Sequence, residues 1–220
     1  MPVDSDAEAF ADLDPADREA LDALRGDDLL GPVVERHGPL TIDPASDPFE
    51  RLVVSILRQQ VSMASAAATR ERLFDAVEVT PEGLLAAEES TLKDAGLSRQ
   101  KTRYVRNVAE AFAENGWDRE AFAAMTDDEV REELTAITGV GAWTANMQLL
   151  FSLARPDVFP VGDLGIRKGM TTLYDREMSR SEMVEEARRW APYRSYASLY
   201  LWRAKEDIAE SVDEVVDGSA

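Results

Sequence analysis

The sequence predicts an all-α fold, on three observations. Helix-start signals recur along it, one segment carries a helical stripe of apolar residues, and runs such as Val158-Phe159 are too brief to demand a sheet. Taken in order, Asp14-Pro15 sets a capping side chain before a proline at the first helical position, so a helix begins near residue 15. A second is expected across 28–37. Asp47-Pro48 repeats the pair, and Phe49, Leu52, Val53, Ile56 and Leu57 follow at i, i+3, i+4, i+7 and i+8, a stripe that faces a core. Helices are expected next across 62–77, from Thr80-Pro81, and across 98–115. The capping boxes Thr126-Asp127-Asp128-Glu129 and Ser179-Arg180-Ser181-Glu182 start helices near 127 and 180. Between and beyond them, helices are expected across 142–154, 164–174 and 193–210.

A chain of 220 residues with 45% hydrophobic content can bury a substantial core, as one domain or as two small lobes. It contains no cysteine, which excludes disulfides, thiolate zinc sites, iron–sulfur clusters and a cysteine nucleophile. The single histidine, His37, cannot build a multi-histidine metal site. Chemistry must therefore come from carboxylates, amides, hydroxyls or bases. The start MPVDSDAEAF has no basic segment followed by an apolar one, and no stretch approaches the roughly 18 apolar residues of a membrane span, so a cytoplasmic protein with no membrane partner is expected.

The net charge of −19 at first argues against a nucleic-acid partner, since DNA binders present positive charge to phosphates. Only four of the 24 basic residues are lysine, however, and this acidic, lysine-poor balance suggests adaptation to concentrated salt. The acidity is also concentrated at the ends: residues 1–30 hold ten acidic against two basic side chains, and residues 205–220 hold six against one. Away from the ends, Arg99, Lys101, Arg103 and Arg106 follow one another with no acid between them, as do Arg188, Arg189, Arg194 and Arg203. These are either local basic faces or ordinary solvated helix faces.

The segment Leu134-Thr135-Ala136-Ile137-Thr138-Gly139-Val140-Gly141-Ala142-Trp143-Thr144-Ala145 reads as a helix end, a glycine-punctuated hairpin and a new helix start. Gly139 and Gly141 allow a tight turn and close approach by another backbone. The unpaired amides opening the second helix suit a DNA phosphate without any lysine. Alone, the segment reads more readily as a plain helix–helix connection with no ligand. Its continuation runs Arg155-Pro156-Asp157-Val158-Phe159-Pro160-Val161-Gly162-Asp163-Leu164-Gly165-Ile166. With the hairpin before it, with Ile56-Leu57-Arg58-Gln59-Gln60-Val61-Ser62 upstream and Tyr193-Arg194-Ser195-Tyr196 to Trp202 downstream, the chain resembles the helix-hairpin-helix, Gly/Pro-rich, catalytic-Asp superfamily of DNA glycosylases, in particular its 3-methyladenine (alkylbase) branch. The resemblance runs from about Asp47 to Trp202.

That resemblance implies a two-lobed helical fold with the active site in a cleft between the lobes. Acidic N-terminal helices are expected over 1–45, the glycosylase core over 46–205 with a central lobe at about 60–175, and an acidic tail over 206–220. It implies Asp163 as the catalytic carboxylate, stabilising the positive charge that develops on the deoxyribose and orienting the attacking water. The plainer reading, that Asp163 caps the helix beginning at Leu164, is compatible with it. Asp157 is a weaker alternative acid. Bifunctional relatives carry a lysine two residues after the second hairpin glycine, and here that position is Trp143, so a monofunctional enzyme is expected. Trp143 and Trp202 match aromatic positions lining the base pocket, Met147 completes the wall, and Leu164 stands where some relatives have an aromatic residue. Gln60 matches the wedge that fills the gap left by a flipped base, braced by Gln59. Gly139, Val140, Gly141 and Thr144 are expected at the DNA backbone. The carbonyls of Thr135, Ile137 and Val140 match positions that hold a monovalent or calcium-like structural ion in some hairpins of the superfamily, and no other cofactor is implied. The expected partner is double-stranded DNA with a damaged base, bound by a monomer. The rival readings are a lyase-type glycosylase for oxidised bases and a non-catalytic DNA-binding module.

Overall fold

The computed structural model describes residues 10 and 12–204, and among these no strand occurs. The capping signals mark the helix starts. Asp14 accepts from the amides of Ala16 and Asp17 at the head of Pro15–Arg25, and Asp47 accepts from those of Phe49 and Glu50 at the head of Pro48–Arg58. Thr80 caps Pro81–Ala86, while Thr126 with Glu129 and Ser179 with Glu182 form reciprocal boxes before Asp127–Ala136 and Arg180–Glu186. The helices Met63–Ala76, Arg99–Asn115 and Leu164–Tyr174 lie where the sequence places them, and the last helix spans residues 194–204 of those described. The acidic tail 206–220 and the predicted end of that last helix lie outside the described residues.

Some boundaries differ, for local reasons. The helix expected across 28–37 begins only at Gly31, because Asp27 accepts from the amides of Leu29 and Leu30 and holds those residues in a turn. The helix expected across 142–154 stops at Phe151, and Ala154 adopts a positive φ of 50°. Two short helices, Glu89–Asp94 and Arg119–Ala123, and a 3-10 turn, Ala187–Trp190, were too brief to carry a periodic signal. Among the described residues, no helix is long and apolar enough to cross a membrane.

The chain forms two compact units. One is the continuous segment Asp43–Ala154. Its core contains the predicted stripe, with Phe49, Leu52, Val53, Ile56 and Leu57 all buried. Phe49 also joins an aromatic cluster, edge-on to Phe112 with ring centroids 5.2 Å apart, and Phe112 meets Trp117 and Phe122 at 5.5 and 5.7 Å. Such pairs add about 0.5–1.5 kcal/mol each beyond area burial. The buried Gln148 amide donates to Pro48 O at 2.6 Å, tying the helix Ala142–Phe151 to the start of the striped helix.

The other unit combines the N-terminal segment to Ile42 with the chain from Arg155 onward. This division groups the Asp163 loop and its helix with the terminal segments, where the sequence reading put them in a central lobe of 60–175. The physical reason lies in two close contacts. Ser195, at the start of helix 194–204, donates from its hydroxyl to Arg155 O at 2.5 Å, accepts from Val158 N at 2.9 Å, and donates its amide to Pro156 O at 2.9 Å. The helix Leu164–Tyr174 crosses the same C-terminal helix so closely that a β-carbon at Gly169 would lie 2.1 Å from Leu201 O. Tyr200 extends the unit toward the N-terminal segment, donating to Gly38 O at 2.9 Å and accepting from Leu40 N at 3.0 Å.

A methyl group at Gly169 meets backbone, which cannot rotate away. Gly169→Ala should therefore lose about 1–3 kcal/mol by overpacking, lowering the melting temperature by about 2–10 °C although alanine is the better helix former. A melting temperature at or above wild type would show that the crossing is looser than this geometry.

Candidate functional site

In the Asp43–Ala154 unit, the hairpin joins Asp127–Ala136 to Ala142–Phe151. Thr135 sits in the last turn of the first helix, Ile137 caps it, and Ile137 O accepts from Val140 N at 3.0 Å. Gly139 has φ of 113°, outside the range ordinary side chains adopt, and a β-carbon there would lie 2.4 Å from Cγ of Tyr104. The turn is braced twice more: Asn107 donates to Thr138 O at 2.9 Å and Gln59 donates to Gly139 O at 3.1 Å. Gly141 is the N-cap of the second helix, and among the described residues none supplies a side-chain cap or lies within 4 Å of where its β-carbon would be. The first amides of a ten-residue helix thus open where a phosphate oxygen can approach. Val140 and Thr144 turn their side chains inward, so what they offer such a ligand is backbone alone.

Gln59 ends the helix Pro48–Arg58, and Gln60 follows with φ of 56°, a left-handed conformation costly for a residue with a β-carbon. Lys101 supports this helix end by donating to Leu57 O at 2.6 Å, and burial pushes its ammonium below the usual lysine range. Gln60 itself is exposed, flanked by the exposed apolar side chains of Val61 and Met63. A hollow of about 240 Å³ beside it is lined in part by Gln59, Gln60, Gln100 and Tyr104. On the hairpin's second helix, Trp143 is 44% exposed, whereas Met147 is buried.

In the other unit, Asp163 is the N-cap of Leu164–Tyr174. Its Oδ1 accepts from Ile166 N at 3.0 Å and from the Trp202 indole Nε1 at 2.9 Å. Trp202 reaches it because Gly165 has no side chain: a β-carbon there would lie 2.5 Å from Trp202 Cδ1. Leu164 projects outward at 58% exposure. Asp157, the alternative acid, is held by Arg194 through two parallel contacts, Nε to Oδ1 at 2.6 Å and Nη2 to Oδ2 at 2.8 Å. Burial alone would raise its carboxyl, but the Arg194 bonds outweigh it and hold it below the usual range. A carboxylate clamped in this way is a brace for the loop.

The basic clusters are mostly committed too. Lys101 and Arg106 donate to backbone carbonyls, and Arg188, Arg189 and Arg194 pair with Glu185, Asp27 and Asp157. Arg99 and Arg103 are the exposed members of the first cluster.

A family model described as HhH-GPD superfamily base excision DNA repair protein matches residues 53–193. The chain belongs to that superfamily. Among solved structures, this HhH-GPD chain is similar to a DNA-3-methyladenine glycosidase from Bacillus halodurans, with 35% identity, a TM-score of 0.78, and coverage of 86% of this chain and 89% of that one. It is also similar to the 3-methyladenine DNA glycosylase of Schizosaccharomyces pombe in complex with abasic DNA, with 28% identity, a TM-score of 0.74, and coverage of 84% and 95%. A DNA-3-methyladenine glycosylase of Bacillus subtilis is 28% identical over 87% of this chain and 68% of its own length. The chain spans about two thirds of the first curated relatives it matches.

Gly165, Gly169, Ser195 and Tyr104 were not singled out as site residues from the sequence. The two glycines, four apart after Asp163, were the available signal, since that spacing puts both on one helix face where another backbone can approach. For Asp157, a depressed pKa contributes stability above the unfolded value near 3.9, and this is lost as pH falls through the folded value. Arg194→Met should therefore cost roughly 1–2 kcal/mol at pH 7, given the partial exposure of both groups. In a series of melts, the gap to wild type should narrow below about pH 4; a gap independent of pH would mean that Arg194 stabilises by packing.

Proposed function

We propose that this chain is a monofunctional DNA glycosylase that takes an alkylated purine, such as 3-methyladenine or 7-methylguanine, out of double-stranded DNA and hydrolyses its N-glycosidic bond. The observation that carries the reading is the carboxylate of Asp163, fixed by two N–H donors in the loop that follows the hairpin. Relatives named DNA-3-methyladenine glycosylase support the substrate class. The carboxylate stabilises positive charge growing on the deoxyribose as the base leaves and orients the attacking water. The first amides after Gly141 take a backbone phosphate, and Gln60 fills the vacated position in the stack with Val61 and Met63 against the neighbouring bases. Of the residues matched to the base pocket, Trp143 and Met147 belong to the one unit and Trp202 and Leu164 to the other.

Trp143 stands where lyase-type relatives carry the lysine that attacks the sugar, so the product is an intact abasic site. This disfavours the reading as a lyase for oxidised bases. A non-catalytic binding module has no need of a carboxylate held at one oxygen by an indole. The hairpin carbonyls of Thr135, Ile137 and Val140 are hard oxygen donors suited to a monovalent or calcium ion, which would brace the turn; Ile137 O already accepts one amide and has a second lone pair for it. Such an ion supplies no chemistry to the bond cleavage.

Asp163→Asn keeps an oxygen for the helix cap and the indole but loses the charge. It should fold, bind an abasic duplex, and release methylated bases at least about 100-fold more slowly in single turnover, with no borohydride-trapped adduct from either protein. Near-normal release by the variant would remove Asp163 from catalysis, and a trapped wild-type adduct would restore the lyase reading. Gln60→Gly removes both the wedge and the left-handed strain. Its melting temperature should match or exceed wild type while its affinity for an abasic duplex falls about tenfold, and unchanged affinity would sink the wedge.

A further inference from the structure

The sequence reading makes Trp202 a wall of the base pocket, yet its indole N–H is directed at Asp163 Oδ1, at 2.9 Å. A tryptophan needed only for stacking offers a ring face and has no need to satisfy a carboxylate. The same oxygen accepts from Ile166 N at 3.0 Å, a donor fixed by the helix backbone. The indole approaches from another helix, and a donor from a second direction restricts the carboxylate's rotation about its capping bond. The second donor depends on Gly165. A β-carbon there would lie 2.5 Å from Trp202 Cδ1, 2.8 Å from Nε1 and 3.0 Å from Asp163 Oδ1, so any side chain intrudes between the indole and the acid. One turn further on, Gly169 admits Leu201 O at the same crossing and brings Trp202 within reach.

We propose that Trp202 and Gly165 act as a positioning pair that fixes the rotamer of Asp163, so that Trp202 serves every substrate through the carboxylate and does not select among them by charge. The inference rests on the glycosylase reading above. It assigns Gly165 a role in the reaction although its residue type has no chemistry of its own.

The two variants remove the bracket from opposite sides. Trp202→Phe keeps an aromatic ring and deletes the N–H. Gly165→Ala keeps both Trp202 and Asp163, is favoured by helix propensity, and pushes the indole away. In single-turnover release from duplexes carrying 7-methylguanine, which is cationic, or hypoxanthine, which is neutral, each variant should lose about tenfold or more on both lesions, as expected on losing a hydrogen bond to a charged group. Affinity for an abasic duplex should stay within about twofold of wild type. The acidic limb of the rate profile should move to higher pH in Trp202→Phe, because a carboxylate with fewer donors protonates more readily. In an Asp163→Asn background, Trp202→Phe should cost little more, since a residue acting through Asp163 has nothing left to position.

Wild-type rates with an unmoved acidic limb in both variants would overturn the positioning role. A loss confined to 7-methylguanine would also overturn it, making Trp202 a cation-sensing wall. An undiminished additional loss in the Asp163→Asn background would do the same. A wild-type chain that releases no base, or an Asp163→Asn variant as active as wild type, would instead overturn the glycosylase reading and this inference with it.

Discussion

Everything proposed for this chain depends on keeping one carboxylate ionised, oriented and close to a protein surface without neutralising it. Neutral donors serve this need, because a cation paired with the carboxylate would offset the negative charge that a developing oxocarbenium ion calls for. Two such donors, the Ile166 amide and the Trp202 indole, meet on Oδ1. Neutral N–H groups orient an anion and leave its formal charge intact. Asp157 shows the contrast within the same loop. It is paired bidentately with Arg194, its charge is matched, and its role is to hold the loop. The Ser195 hydroxyl and amide fasten the loop at Arg155, Pro156 and Val158, a few residues before Asp163.

The same economy of charge bears on how an acidic chain engages DNA. Of the two basic clusters in the sequence, most members are drawn into helix ends and ion pairs. What the hairpin presents is a helix N-terminus capped by Gly141, with backbone amides whose partial positive charge does not depend on releasing counterions. An amide-based contact suits a protein with net charge −19 better than a lysine-rich one, because it adds no salt-screened point charges to a surface dominated by acids.

Helix starts were the most legible part of the sequence, because each is a local transaction. Asp14, Asp47, Thr80, Thr126 and Ser179 bond to amides two or three residues on, so the information lies within one turn. The position of Asp163 was legible as a cap for the same reason, and the catalytic role proposed for it rests on the order of motifs around it. The partner of its carboxylate was not, since Trp202 lies 39 residues away and no local pattern pairs them. Arg194 and Asp157 are separated by 37 residues and were equally opaque. Short helices such as Arg119–Ala123 escaped because five residues show no period. The grouping of the Asp163 loop with the C-terminal helix is a long-range outcome of two glycines and a serine, residue types that pattern reading treats as loop punctuation.

Gly139 and Gly165 show why such residues carry more of the function than their chemistry suggests. In each unit a glycine is the place where an aromatic ring packs against backbone, Tyr104 on Gly139 and Trp202 on Gly165, and in each a β-carbon would lie within 2.5 Å of the ring. In each the packed ring belongs to a distant helix, so the glycine converts a helix–helix contact into the placement of a functional group: the hairpin carbonyl that Gln59 grips in one unit, the carboxylate of Asp163 in the other. The conformational demands differ. Gly139 is required by its φ of 113° as well as by the ring, whereas Gly165 sits in a helix that would accept alanine if Trp202 were not there. Space for another residue's side chain, and not backbone freedom, is therefore what keeps glycine at position 165. An alanine there removes no functional atom, yet it displaces a neutral donor that reaches Asp163 from a second helix.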